Sequence, residues 1–279
     1  MNTAMITTRL RKFSWYHLVL LFFALVAAAP FYLVLINSMK SHIAIVTNPL
    51  SPPQAFNFDN FRSAWRWGEF GPGFVNGVIL TGTGIVVILF CSSTMAYVLA
   101  KNRIRIVPAL IVYFMVAMTI PIQLFMFTLY SALSKLRLLG NLNVVGILHA
   151  ALYMPTAVFL MRTFFLRIPR EMEEAARIDG ASSWQVFTQV MLPVVSPGLV
   201  TVAIIVGLMS WNEYLLTATF LQTQNRNATL GYLSMNNVFN LDMGVMMAGA
   251  LILIVPVLVF FLCVQRLFID GLVAGSVKG

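Results

Sequence analysis

The stretch from Glu171 to Pro193, EMEEAARIDGASSWQVFTQVMLP, decides the fold, because it is the polar exception in a greasy chain. Between Arg162 and Asp179 stand eight of the 27 formally charged residues, among them four of the nine acids. Pro169 is tolerated in the first turn of a helix, where its missing N–H leaves no bond unmade. Glu171, Glu173 and Glu174 follow near that end, where the helix dipole favours negative charge. Glu173 and Arg177 are four apart with the acid first, the better order for a pair. Gly180 suits the left-handed cap that closes a helix, and Ser182 with Gln185 matches a capping box for a second one. Trp184, Phe187 and Met191 would form an apolar stripe before Pro193 and Pro197 break the chain. Two short helices joined by a glycine corner are predicted.

The surroundings of this stretch set its environment. The chain has 279 residues, 59% hydrophobic and 10% charged, where a soluble domain carries about 25% charge. Runs free of Lys, Arg, Asp and Glu cover 13–39, 70–100, 106–134, 138–161, 180–212 and 243–265. A bilayer span needs roughly 20 predominantly apolar residues, and every run exceeds that. The expected fold class is therefore an all-α membrane protein with six transmembrane helices, near 17–37, 75–100, 106–133, 140–161, 195–220 and 244–265. The first is read as an uncleaved helix: Ala27-Ala28-Ala29 mimics a cleavage site, but the apolar run continues past Pro30 to Ile36. No fixed-period repeat or second soluble domain interrupts residues 1–279, so one transmembrane domain is expected.

Lys and Arg counts in alternate loops set the orientation. With the N-terminus inside, twelve fall on the cytoplasmic side and six outside, of the 18 in all. Both termini, the tail 266–279 and the segment 168–193 between helices 4 and 5 are thus expected in the cytoplasm, and the loop 41–73 outside. The net charge of +9 follows from the same bias and requires no nucleic-acid partner. Trp65 and Trp67 suit a membrane-surface aromatic belt. Cys91 and Cys263 lie inside spans, and the three histidines are scattered without metal-ligand spacing.

A solvated amphipathic connector accounts for many charges, but not for Ala175, Ala176 and Gly180 among them. A docking surface accounts for both, through close approach and charges that pair across an interface. The residues Glu174-Ala175-Ala176, Gly180 and Leu192-Pro193 resemble the EAA signature of the membrane subunits of bacterial ABC importers. The longer EEAARIDGAS, the ending QRLFIDGLVAGSVKG from Gln265 to Gly279, and Trp211-Asn212-Glu213-Tyr214 are similar to the second permease of maltose-type carbohydrate uptake systems.

That resemblance implies a cytoplasmic two-helix coupling loop seated in a cleft of an ATPase subunit. Glu174 would be its charged contact, with Glu173, Arg177 and Asp179 around it, Ala175 and Ala176 the close-packed face, and Gly180 the corner. It implies these partners: a second permease, two ATPase subunits that bind ATP and Mg, an extracytoplasmic solute-binding protein, a carbohydrate substrate and the lipid of the bacterial inner membrane. No G-x-x-x-x-G-K-[ST] loop occurs in the chain, so no ATP chemistry or other cofactor is expected in this subunit. It is read as a non-catalytic transducer.

Ionisable groups at membrane depth line a pathway or pair within a bundle. Glu213 is the acid inside an otherwise apolar span, beside Asn212, with Trp211 or Tyr214 offering a stacking face for a sugar. A structural role for Glu213, bonded to a neighbouring helix, stands equally open. Gln123 is a pathway candidate because Pro121 opens the helix beside it, and otherwise an interhelical hydrogen-bonding group. His149 is read as a satisfied packing residue. Two rival functions remain: import of a polyol, sugar phosphate or other small solute by the same machinery, or a self-sufficient secondary carrier. The carrier class shows internal repeats and broken helices about a midplane site, and the sequence displays neither.

Overall fold

The computed structural model describes residues 15–101, 105–221, 225–237 and 242–276, with side chains as far as Leu267. Helix α1, Trp15–Asn37, runs apolar and exposed along nearly its whole length. The loop expected at 41–73 holds two short helices, α2 His42–Thr47 and α3 Asp59–Trp67. Lys40 anchors it, its Nζ donating to the carbonyls of Asn48 and Pro49 just past α2. Helix α4, Phe70–Lys101, starts five residues earlier than the sequence predicts. Its start packs Phe70 and Phe74 against Trp65 of α3, with ring centroids 6.2 Å apart in both pairs.

The third predicted span is not one helix. It comprises α5 Val107–Thr119, a 3-10 turn at Ile122–Phe125 and α6 Met126–Lys135, and the two halves meet at 88°. Pro121 is the cause: it offers no N–H and pushes the preceding residue out of helical geometry. Ile120 accordingly lies extended at φ −83, ψ 117. Helix α7, Leu142–Phe165, then crosses the bundle whole, its start capped by Asn141.

The segment 168–193 holds α8 Arg170–Ile178, α9 Ser183–Gln185, a π-helical turn Val186–Met191 and α10 Leu192–Val194. The chain turns by 73° into α11, Ser196–Trp211. The fifth predicted span, 195–220, is also interrupted, since α11 stops at Trp211 and α12, Leu215–Phe220, begins only after Tyr214. Helix α13, Ala228–Ser234, precedes α14, Met243–Ser276, which absorbs most of the expected tail. Residues 277–279, and the basic residues Arg9, Arg11, Lys12 and Arg103, lie outside the described residues. Among the described residues four helices are long and apolar enough to span a membrane, or up to six if each bent pair is one span. Among the described residues there is no strand.

Small residues bring the central helices together. A Cβ at Gly84 would lie 3.1 Å from the Gly146 carbonyl, and one at Gly146 would meet Leu80 and Thr83. Helices α4 and α7 therefore cross backbone to backbone, as close packing in lipid allows. One apolar core continues from these helices into the coupling segment. It joins Ile88, Ala96 and Tyr97 of α4 with Met161 and Phe165 of α7, Val186, Phe187 and Met191 of the π turn, and Val202 and Val206 of α11.

Candidate functional site

Two sites emerge, one at each end of this core. The first is the polar knuckle at 168–193. Helix α8 closes in a Schellman motif: the Gly180 N–H donates to the Arg177 carbonyl at 3.1 Å and the Ala181 N–H to the Ala176 carbonyl at 3.0 Å. Gly180 sits at φ +86, the left-handed region that excludes most side chains, with open space where a Cβ would stand. Ser182 and Gln185 make the capping box reciprocally, closing onto α9. The glycine corner and both helix boundaries follow the sequence closely.

The acids divide by direction. Glu171, Glu174 and Asp179 are exposed, as are Ala175, Arg177 and Gly180. Glu173 is turned the other way. Its side chain is 14% exposed, and Oε1 accepts the Tyr97 hydroxyl at 2.9 Å and Arg177 Nη2 at 2.9 Å. The hydrogen bond with Glu173, and then that with Tyr97, holds the Arg177 guanidinium above its already high ordinary value. Ala176 packs onto the core, while Ile178 is 85% exposed on the outer face. The expected apolar stripe needs a correction: Phe187 and Met191 are buried, but Trp184 is 60% exposed and Val186 takes the inward place. The π turn from Val186 to Met191 accounts for this, because it widens the helix and rotates what precedes it out of register.

The second site is the interruption between α11 and α12. Glu213 Oε1 accepts the Leu216 N–H at 3.0 Å, and Oε2 accepts the Thr217 N–H at 3.1 Å. These are donors that a helix start leaves without partners. Oε2 also lies 3.1 Å from Nε2 of His149, whose Nδ1 lies 2.8 Å from Ser210 Oγ. The His149 and Glu213 side chains are 0% and 8% exposed. The geometry thus gives Glu213 a structural post: it caps α12 and ties the interruption to α7. Trp211 turns inward, stacking on Phe74 at 6.3 Å and walling a cavity of about 340 Å³ with Val78, Thr81, Ile85 and Phe260. Asn212 and Tyr214 are exposed, and Asn212 Nδ2 donates back to the Leu208 carbonyl at 2.8 Å. Gln123 is exposed on the turn after Pro121, and no hydrogen bond joins it to this group among the described residues. Tyr97, Ser210 and Thr217 carry no sequence signal, since isolated hydroxyls are common in apolar spans.

The chain matches the family model of the binding-protein-dependent transport system inner membrane component over residues 88–269. It belongs to that family. Both candidate sites fall inside the matched residues. The chain is 33% identical over 264 residues to the melibiose/raffinose/stachyose import permease protein MelC of Bacillus subtilis, covering 92% of this chain and 94% of that one. It is 32% identical over 269 residues to the diacetylchitobiose uptake system permease protein NgcG of Streptomyces coelicolor, at 94% and 86% coverage. Among solved structures it resembles a chain of a bacterial ABC transporter that imports the acidic polysaccharide alginate. That match has a TM-score of 0.75 and 25% identity, over 90% of this chain and 94% of the other. The permease resemblance and the all-α membrane fold are met. The reasoning that set a carrier aside needs correcting, because helices broken at Pro121 and at Asn212–Tyr214 occur in this family member too.

Proposed function

We propose that this chain is the membrane-spanning subunit of an ATP-driven importer that passes a sugar or oligosaccharide to the cytoplasm by alternating access. An extracytoplasmic binding protein delivers the solute, and a second permease completes the pathway. Two separate ATPase subunits, which bind ATP and Mg, drive it through the segment 168–193. The observation that carries this reading is the knuckle's two-sided build. Its outer face sets Glu171, Glu174 and Ala175 beside an exposed Ile178, while its inner face continues the membrane core. Such a body suits transmission of force from a soluble partner into helices. The two relatives, a melibiose/raffinose/stachyose import permease and a diacetylchitobiose uptake permease, support the substrate class. Asn212 and Trp211 stand as pathway residues beside the interruption that Glu213 holds, and Gln123 as a separate one on the turn after Pro121.

The test is reconstitution of the full complex in proteoliposomes, with ATPase activity measured against a panel of oligosaccharides, polyols and sugar phosphates delivered by the cognate binding protein. Stimulation by an oligosaccharide is expected. Glu174→Lys is expected to lower ATPase co-purification by roughly tenfold, a loss of ~1.4 kcal/mol, with the chain still inserted. Ion-driven uptake by this chain alone would overturn the reading, and stimulation only by a polyol or sugar phosphate would move it to that substrate class.

A further inference from the structure

We propose that Tyr97 and Glu173 form the anchor through which motion of the knuckle reaches the membrane helices, so that Glu173 faces its own bundle and not an ATPase. This rests on the coupling role proposed above and assigns the inward half of it. Helix α8 carries three acids, and only Glu173 turns toward the helix bundle, while Glu171 and Glu174 are exposed. Its Oε1 takes the Tyr97 hydroxyl at 2.9 Å, a side-chain hydrogen bond from α8 to a membrane helix. The bond is charge-assisted, which makes it shorter and stronger than one between neutral groups. Arg177 closes the same oxygen from the solvent side at 2.9 Å, so the carboxylate is gripped between the two.

Tyr97 is placed to pass on a pull. Its ring is wedged between Phe165 of α7 at 5.7 Å and Phe187 of the π turn at 5.3 Å. One turn further along α4, Lys101 Nζ donates to the Ile168 carbonyl at the entry to α8. Arg162 Nε of α7 donates to the Leu99 carbonyl of α4 at 3.3 Å. The end of α4 is therefore fastened both to the knuckle and to α7, and α4 and α7 cross backbone to backbone at Gly84 and Gly146. Displacement of α8 along its axis loads Tyr97 directly. Ala176, the other inward contact of α8, is a methyl group that can slide. The hydroxyl bond cannot slide without breaking.

The anchor predicts a split that a docking contact would not produce. Tyr97→Phe keeps the ring and its packing but deletes the hydroxyl. In the reconstituted complex it is expected to leave ATPase co-purification and subunit stoichiometry unchanged, while molecules transported per ATP hydrolysed fall at least about threefold. Glu173→Gln retains an acceptor for Tyr97 and is expected to fall less than Glu173→Ala. Glu174→Lys provides the contrast, since it detaches the ATPase instead of uncoupling it. An unchanged transport-to-hydrolysis ratio in Tyr97→Phe overturns the anchor while leaving the importer reading intact. Loss of ATPase from the Glu173→Ala complex overturns it too, by making Glu173 a docking contact. A wild-type complex that carries no ATPase overturns the importer reading and the anchor with it.

Discussion

Glu213 shows how much a single residue's meaning depends on its neighbours. A lone acid in an apolar span invites a functional reading, yet here its oxygens are taken by His149, two backbone N–H groups and the Thr217 hydroxyl. Removing one partner leaves a buried polar group unsatisfied, at a cost of about 1–3 kcal/mol and more for a charged one. His149→Ala is accordingly expected to lower the thermal midpoint of the detergent-solubilised complex markedly. Glu213→Gln should lower it less, because its amide oxygen still accepts from the start of α12. Equal midpoints for wild type and His149→Ala would remove the structural assignment. At Gly180 the cost is backbone strain: at φ +86, an alanine is disfavoured by about 1–2 kcal/mol. Gly180→Ala should therefore destabilise the knuckle more than Gly180→Asn, read by hydrogen exchange across residues 170–185. Gly180, Ser182 and Gln185 were legible in the sequence because each acts on backbone within five residues of itself. His149 and Glu213 were each legible as polar residues in a span, but their partnership was not, because it is made across two helices.

At the scale of elements, prolines and glycines act in opposite ways. Pro121 breaks a span that apolar length alone presents as continuous, while Gly84 and Gly146 let two unbroken spans touch. Overfilling such a crossing costs about 1–3 kcal/mol. Gly146→Val is expected to part α4 from α7 and cut the yield of monodisperse detergent-extracted protein severely, with Gly146→Ala intermediate. A monodisperse, fully stable Gly146→Val protein would deny the crossing. The π turn at Val186–Met191 belongs to the same scale. Counting three and four residues along the chain predicts Trp184 inside, but the turn inserts extra backbone and Val186 is buried instead. Periodicity presumes a regular helix, and nothing in VFTQVM announces the departure.

For the whole molecule, the decisive fact is which surfaces lack a partner within the chain. Helix α1 buries almost none of its side chains, so lipid or another subunit must cover it. The knuckle is an exposed body at one end of the core, and we propose from the charge bias that it faces the cytoplasm. A Cys91→Ala, Cys263→Ala protein carrying Ile178→Cys tests that directly. An impermeant thiol reagent should label it in inside-out vesicles and leave it unlabelled in right-side-out ones, and the reverse pattern would invert the topology. Class, the knuckle's two helices with their glycine corner, and family likeness were all determined by the sequence alone, because each depends on local composition or on backbone geometry set within a turn or two. The tertiary structure decided which acid faces inward, where two spans break in space and what holds the second break. Those outcomes depend on Tyr97, His149 and Gly146 meeting residues distant in the chain, and such meetings are settled by packing alone.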